Sequence, residues 1–164
     1  MNKNDHIRAV IFDIDGTLVD TLPSLAAAAN DVLTQAGLRE VPMAHLRSAL
    51  SEGLRPMFRQ ALVLQPSPPD AQQAAQLEED YLAHYTQRWL ATAPLFAHVS
   101  ETLGALKTQG LKLGICTNRD RGSTETLLAS NALTVSFDAI VGLGDAPLPK
   151  PAADPLLQVL RQLE

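Results

Sequence analysis

Three apolar runs in this chain fail to alternate with polar residues, and that restricts the fold more than any other feature. Arg8 to Asp13, Leu111 to Thr117 (LKLGICT) and Phe137 to Val141 (FDAIV) are nearly continuous in apolar character. A strand with one wet face alternates; an unbroken short run marks a strand covered on both faces, the habit of parallel sheets. Helical stretches stand beside them. Glu101 to Gln109 precedes the second run and stops at Gly110, and about Ser123 to Asn131 leads from the second to the third. The βαβ order predicts an α/β fold on a Rossmann-like parallel sheet core.

The gap between the first two runs does not fit a simple crossover. A whole βαβ unit takes roughly 30 residues, yet nearly a hundred positions separate Asp13 from Leu111. The excess reads as helix. Pro23 to Ala36 opens on proline and closes at Gly37. Pro42 to Ser51 follows, then Leu54 to Leu64 with Leu54, Met57, Phe58, Ala61 and Leu62 at helical spacing. After Pro66-Ser67-Pro68-Pro69, Asp70 caps a long helix carrying Ala74, Leu77, Tyr81, Tyr85 and Trp89 near one face. Residues 20–93 are therefore expected to form an all-helical cap inserted into a discontinuous core of 1–19 and 94–164, with Pro94 marking the return.

Charge and composition narrow the partners. A chain of 164 residues that is 46% hydrophobic and 19% charged can bury a core, either as one domain or as a domain with an insertion. Its formal net charge of −5, with no basic block, argues against nucleic acid or an anionic membrane. Met1-Asn2-Lys3-Asn4-Asp5-His6 is polar with no apolar stretch behind it, so a signal peptide is not expected. No apolar run approaches the roughly eighteen residues of a membrane span. The single cysteine, Cys116, has no partner for an internal disulfide, and a cytoplasmic location is expected. His6, His45, His84 and His98 are scattered without ligand spacing, so zinc is not expected.

The chemistry sits where the runs end. In open parallel sheets ligands lie beyond the carboxyl ends of the strands, and here those ends carry a set of reactive groups. The first run passes into Asp13-Ile14-Asp15-Gly16-Thr17, the second ends in Thr117-Asn118, and the third is followed by Gly142-Leu143-Gly144-Asp145 and then Lys150-Pro151. If the first strand continued, Asp13 and Asp15 would share one side with Ile14 opposite. Two carboxylates held close repel, a tension suited to a divalent cation and divided labour: one nucleophile, one general acid and then base. Gly16 permits a tight turn whose N–H groups can cradle phosphate oxygens. A Thr117 hydroxyl and a Lys150 ammonium would neutralise the remaining phosphoryl oxygens.

These residues resemble the haloacid dehalogenase-like phosphohydrolases. Asp13-Ile14-Asp15-Gly16-Thr17-Leu18-Val19-Asp20-Thr21 is similar to that family's first motif, Ile115-Cys116-Thr117-Asn118 to its second and Lys150-Pro151 to its third. Gly142-Leu143-Gly144-Asp145 with Leu148-Pro149-Lys150-Pro151 resembles the phosphoglycolate phosphatase-like branch, and the helical insertion resembles the family's small cap. The resemblance implies that Asp13 attacks phosphorus and Asp15 protonates the leaving alcohol, then activates water. It also implies that Mg2+ binds the Asp13 carboxylate and the Asp15 main-chain carbonyl, and that Thr117, Asn118 and Lys150 hold the phosphoryl group. Thr17, Gly53, Arg55 and Arg119 are further candidates for contact with a small phosphorylated metabolite similar to 2-phosphoglycolate.

The family's fourth motif, a strand ending in acids that complete the magnesium site, has no counterpart in the fourteen residues after Lys150. Asp154-Pro155 reads instead as a helix N-cap followed by proline, and Glu164 is the last residue. A core truncated at the C-terminus, with the first strand left as a sheet edge, is the expectation. Plainer readings stand beside the sharp ones. Thr117-Asn118 is compatible with capping the next helix, Lys150 with a solvated loop, Asp20 with capping the first inserted helix, and Arg55 and Arg119 with plain surface positions. A β-phosphoglucomutase-like phosphotransferase and a truncated chain without activity are the alternatives to a phosphatase. A receiver-type signalling domain fits less well, since its phosphorylated aspartate lies on a later strand and it lacks a long helical insert.

Overall fold

The computed structural model describes residues 7–164; the Met1–His6 segment, including the histidine considered above, lies outside the described residues. In chain order the elements are β1 (Ala9–Phe12), α1 (Leu22–Gln35), α2 (Met43–Leu46), a 3-10 stretch Arg47–Glu52, α3 (Leu54–Val63) and α4 (Ala71–His84). A π-helical turn Tyr85–Trp89 and a 3-10 turn Leu90–Thr92 follow, then α5 (Val99–Thr108), β2 (Lys112–Asp120), α6 (Arg121–Ser130), β3 (Ala139–Leu143) and α7 (Asp154–Leu163). They divide into two compact units: the described part of Met1–Val19 with Leu95–Glu164, and Asp20–Pro94.

In the first unit the three strands form one parallel sheet in the order β1-β2-β3. Ala9 pairs with Lys112 and Phe12 with Ile115, so Asp13 leaves β1 beside the point where β2 approaches Cys116 and Thr117. On the other side Gly114 pairs with Ala139 and Cys116 with Val141. β1 is an edge of this sheet, as the missing fourth motif leads one to expect, and its four residues are half-buried where the unbroken run predicted cover on both faces.

Both faces of β2 are covered, which explains why its sequence does not alternate. Val159 and Leu163 of α7 join Cys116, Ala139 and Val141 in one buried cluster. Gly114 allows α7 to lie this close: a Cβ there would stand 2.5 Å from Val159 Cγ1. Asp138, just before β3, accepts hydrogen bonds from Leu113 N at 2.7 Å and Lys107 Nζ at 2.8 Å. Lys107, with the Leu113 amide, holds that carboxyl below the usual aspartate range.

The second unit is wholly helical. α1 buries Leu25, Ala28, Ala29 and Leu33, α3 buries Met57, Phe58, Ala61 and Leu62, and Tyr81 of α4 stacks on Phe58 at 4.6 Å between ring centroids. Side-chain amides tie down its loops. Asn30 accepts from Val41 N at 2.9 Å and donates to Val41 O at 3.2 Å, and Gln65 does the same for Arg39. At the ends of the unit, Asp20 N donates to Pro94 O at 2.8 Å.

Several local expectations shift. β1 ends at Phe12 and not Asp13, β2 runs on to Asp120, and the helix expected over Pro42 to Ser51 is a short α-helix followed by a 3-10 stretch ending at Gly53. The N-cap of α1 is Thr21, not Asp20, and α7 starts from Ala153 with Asp154 inside its first turn. Neither of those caps makes a side-chain hydrogen bond. Two caps do: Asp70 accepts from Gln73 N at 2.8 Å as expected, and Asp120, not Thr117 or Asn118, caps α6 by accepting from Ser123 N at 2.9 Å.

Candidate active site

The chain turns sharply once β1 ends. Asp13 Oδ1 accepts from Ile14 N at 2.8 Å, and the Ile14 carbonyl then accepts from the N–H groups of Thr17, Leu18 and Val19 at 3.0–3.1 Å. Gly16, at φ 73°, lets the chain reverse and donates its N–H to Val19 O. The N–H groups of Gly16 to Val19 are thus all engaged inside the turn. These four amides are therefore taken up by carbonyls of the turn itself and are not free to cradle a phosphate as expected. The turn also ends the alternation that was to place Asp13 and Asp15 on one strand face.

What the turn does instead is give each carboxylate its own cation. Lys150 Nζ stands 2.8 Å from Asp13 Oδ2. Arg119 donates from Nη2 to Asp15 Oδ1 at 2.6 Å and from Nε to Asp15 Oδ2 at 3.1 Å. The first pair is partly open to solvent, whereas the Arg119 side chain is 0% exposed and that of Asp15 is 14%. The repulsion between two neighbouring acids is therefore offset within the protein by two neighbouring bases.

Three consecutive residues of β2 organise this arrangement. Thr117 is buried, and its Oγ1 accepts the N–H of Arg119 at 3.2 Å, which leaves the hydroxyl's own proton to donate. Asn118 donates from Nδ2 to Lys150 O at 3.0 Å and accepts from Lys150 N at 2.9 Å. One N–H of its amide and its carbonyl oxygen are thereby engaged by the main chain of Lys150, so Asn118 places the lysine. Arg119 reaches Asp15. Strand pairing is irregular between Cys116 and Asp120, which lets these side chains serve different partners. Cys116 is buried beside them; burial pushes its thiol up, with Asp13 adding to the rise and Lys150 opposing it. A protonated thiol is not a nucleophile.

The remaining candidates divide. Thr17 is exposed on the turn and lines a hollow of about 170 Å³ with Phe12, Leu18, Ala97, His98, Val99, Thr102 and Leu103. Arg119 is neither solvated nor a surface residue, correcting that reading. Arg55, in the helical unit, spends its guanidinium on Glu79 at 2.8 and 3.1 Å and lies 3.6 Å from Glu78, which Arg59 also holds. Gly53 is the φ 116° joint between the 3-10 stretch and α3.

Magnesium fits this donor set only in part. The Asp13 carboxylate and the Asp15 main-chain carbonyl are hard oxygen donors of the type the ion prefers. Among the described residues, however, no three His, Cys, Asp or Glu side chains gather to hold a metal.

A profile of the haloacid dehalogenase-like hydrolase family matches residues 10–164, a span that begins in β1 and takes in Asp13, Asp15, Thr117 and Lys150. The chain belongs to this family. Among curated relatives, a phosphoglycolate phosphatase of Caulobacter vibrioides is 37% identical over 142 residues, covering 87% of this chain and 60% of the relative. One from Cereibacter sphaeroides is 30% identical over 147 residues, covering 90% and 67%. The chain thus spans 60% of the length of the Caulobacter protein. Among solved structures, a predicted phosphoglycolate phosphatase from Haemophilus somnus superposes with a TM-score of 0.88 at 23% identity, over 95% of this chain and 71% of that one. That likeness establishes the fold: a parallel-sheet α/β core with a helical insertion. No helix among the described residues is long and apolar enough to cross a membrane.

Proposed function

We propose that this chain carries the phosphoryl-transfer centre of a phosphatase acting on a small phosphorylated metabolite, with 2-phosphoglycolate the substrate class closest to its relatives. The observation that carries the proposal is the Asp13–Lys150 contact of 2.8 Å, a carboxylate beside an ammonium beyond the strand ends, with a second carboxylate held nearby by Arg119.

In this reading Asp13 attacks phosphorus and forms an aspartyl-phosphate. The alcohol leaves with a proton from Asp15. Asp15, now a carboxylate, takes a proton from water as that water's oxygen bonds to phosphorus and the Asp13 carboxylate departs. Lys150 moves its charge from the Asp13 carboxylate to the phosphoryl oxygens, and the Thr117 hydroxyl donates to another. When bound, magnesium would supply further positive charge against those oxygens, and the Asp13 carboxylate and Asp15 main-chain carbonyl would be its donors. The helical unit, entering after Val19 and leaving before Leu95, would act as the cap that selects small substrates.

A screen of phosphorylated metabolites with and without magnesium, run beside an aryl phosphate, tests the proposal. Release of inorganic phosphate from small monoesters, lost in Asp13→Asn with the fold unchanged by circular dichroism, is expected. Full turnover in that variant would remove Asp13 as nucleophile.

A further inference from the structure

We propose that Arg119 is a positioning residue whose two-point grip aims the Asp15 carboxyl at the water that hydrolyses the phosphoenzyme; this rests on the phosphatase reading above. Arginine is donor-only and does not lose its proton. Both Asp15 oxygens accept from it, at 2.6 and 3.1 Å, so the carboxyl is held at two points and its direction is fixed.

The balance of the second step shows what Arg119 does. Asp15 carboxylate, water and Asp13 aspartyl-phosphate become protonated Asp15, free Asp13 carboxylate and inorganic phosphate. One water proton moves to Asp15, the water oxygen bonds to phosphorus, and the bond from phosphorus to the Asp13 oxygen breaks. The first step is the reverse in Asp15: its proton leaves with the alcohol, and Arg119 receives the resulting charge. A fork fixed on both oxygens aims Asp15 when it acts as base.

The fold holds the arginine for this purpose. Its side chain is shut off from solvent, where breaking a buried pair leaves an uncompensated charge. Its main chain is pinned on both sides: Thr117 Oγ1 accepts its N–H, and Gly142 of β3 lies against its carbonyl. A Cβ at position 142 would stand 2.8 Å from Arg119 O and 3.1 Å from Arg121 N, closer than side-chain carbons come to backbone. Glycine at 142 is thus part of how Asp15 is aimed, three links away.

The test uses Arg119→Met, which keeps the length and removes the charge, Arg119→Lys, which keeps the charge and loses the fork, and Gly142→Ala, which displaces the Arg119 main chain without removing a charged group. Each is checked by circular dichroism, then mixed with p-nitrophenyl phosphate and quenched in acid. Steady-state kcat, KM and the fraction of chain carrying one phosphoryl group are read together. For Arg119→Met a kcat loss of at least about a hundredfold, the scale of a misplaced proton-transfer group, is expected, with KM falling alongside it as dephosphorylation becomes rate-limiting. The phosphoenzyme fraction should rise well above wild type. Arg119→Lys and Gly142→Ala should fall between, and either can stand in if Arg119→Met does not fold. A kcat loss with no accumulated phosphoenzyme, or unchanged kcat, overturns the role of Arg119. Wild type that neither turns over nor becomes phosphorylated overturns the phosphatase reading itself, and is recognised because wild type fails.

Discussion

Asn118→Ala tests whether the second motif works through the third. In the native site the Asn118 amide makes two hydrogen bonds to the main chain of Lys150, at 3.0 and 2.9 Å, and Lys150 reaches Asp13 at 2.8 Å. Each hydrogen bond contributes about 0.5–1.5 kcal/mol net, so removing both costs about 1–3 kcal/mol of stability. The lower half applies, because the site is only partly buried and water can replace the lost partner. If the whole loss of about 2 kcal/mol appears as disorder of Lys150 in the transition state, the rate falls about thirtyfold, since each 1.36 kcal/mol is a factor of ten. The assay is a double-mutant cycle on kcat/KM for an aryl phosphate, with Asn118→Ala, Lys150→Met and the pair, beside urea unfolding of each. Because Asn118 acts through Lys150, its removal should cost little further activity once the lysine is gone. Full additivity of the two rate losses would refute the reasoning, since Asn118 would then contact substrate by itself.

Further outcomes follow from the same geometry. Gly114→Ala should destabilise by about 1–3 kcal/mol through overpacking, because a Cβ there meets Val159 Cγ1 at 2.5 Å and Leu163 Cδ1 at 3.2 Å; urea unfolding reads the loss, and Val159→Ala in the same chain should recover part of it. Asp31 accepts from Trp89 Nε1 at 3.2 Å and pairs with His84 Nε2 at 2.8 Å, and His84 holds its carboxyl below the ordinary value of 3.8. A depressed carboxyl contributes stability above its unfolded value, and that contribution is lost as the pH falls through the lower folded value. Stability of the helical unit should therefore decline as acid is added below about pH 4, less steeply in Asp31→Asn; identical pH profiles for the two chains would remove this pair from the acid response.

The sheet, and the meeting of Asp13 with Lys150 beyond it, were legible in the chain because both rest on local patterns. Unbroken apolar runs name the strands, and the acids, hydroxyl and lysine that follow them name the groups the fold gathers at one end of the sheet. Arg119 was not legible in its role. One residue past the second motif, a charged side chain reads as solvated until the fold shows Asp15 beside it, 104 positions away in sequence. Asn118 shows the same limit, since its partner is main chain and leaves no mark in composition. The caps at Thr21 and Ala153 slipped by one residue because neighbouring Asp20 and Asp154 look better by side chain, whereas backbone direction decides where a helix starts. The closed turn at Gly16 likewise depends on which carbonyl its amides meet, and a motif does not encode that.

The most direct measurement is the site of phosphorylation. The chain is incubated with an aryl phosphate and magnesium, quenched in acid, digested and sequenced by mass spectrometry. One phosphoryl group on Asp13, absent from Asp13→Asn and discharged on chasing with unlabelled buffer, is the result expected of a nucleophilic carboxylate at this strand end. Phosphate released with no covalent intermediate, or a phosphoryl group carried by another residue, would contradict it.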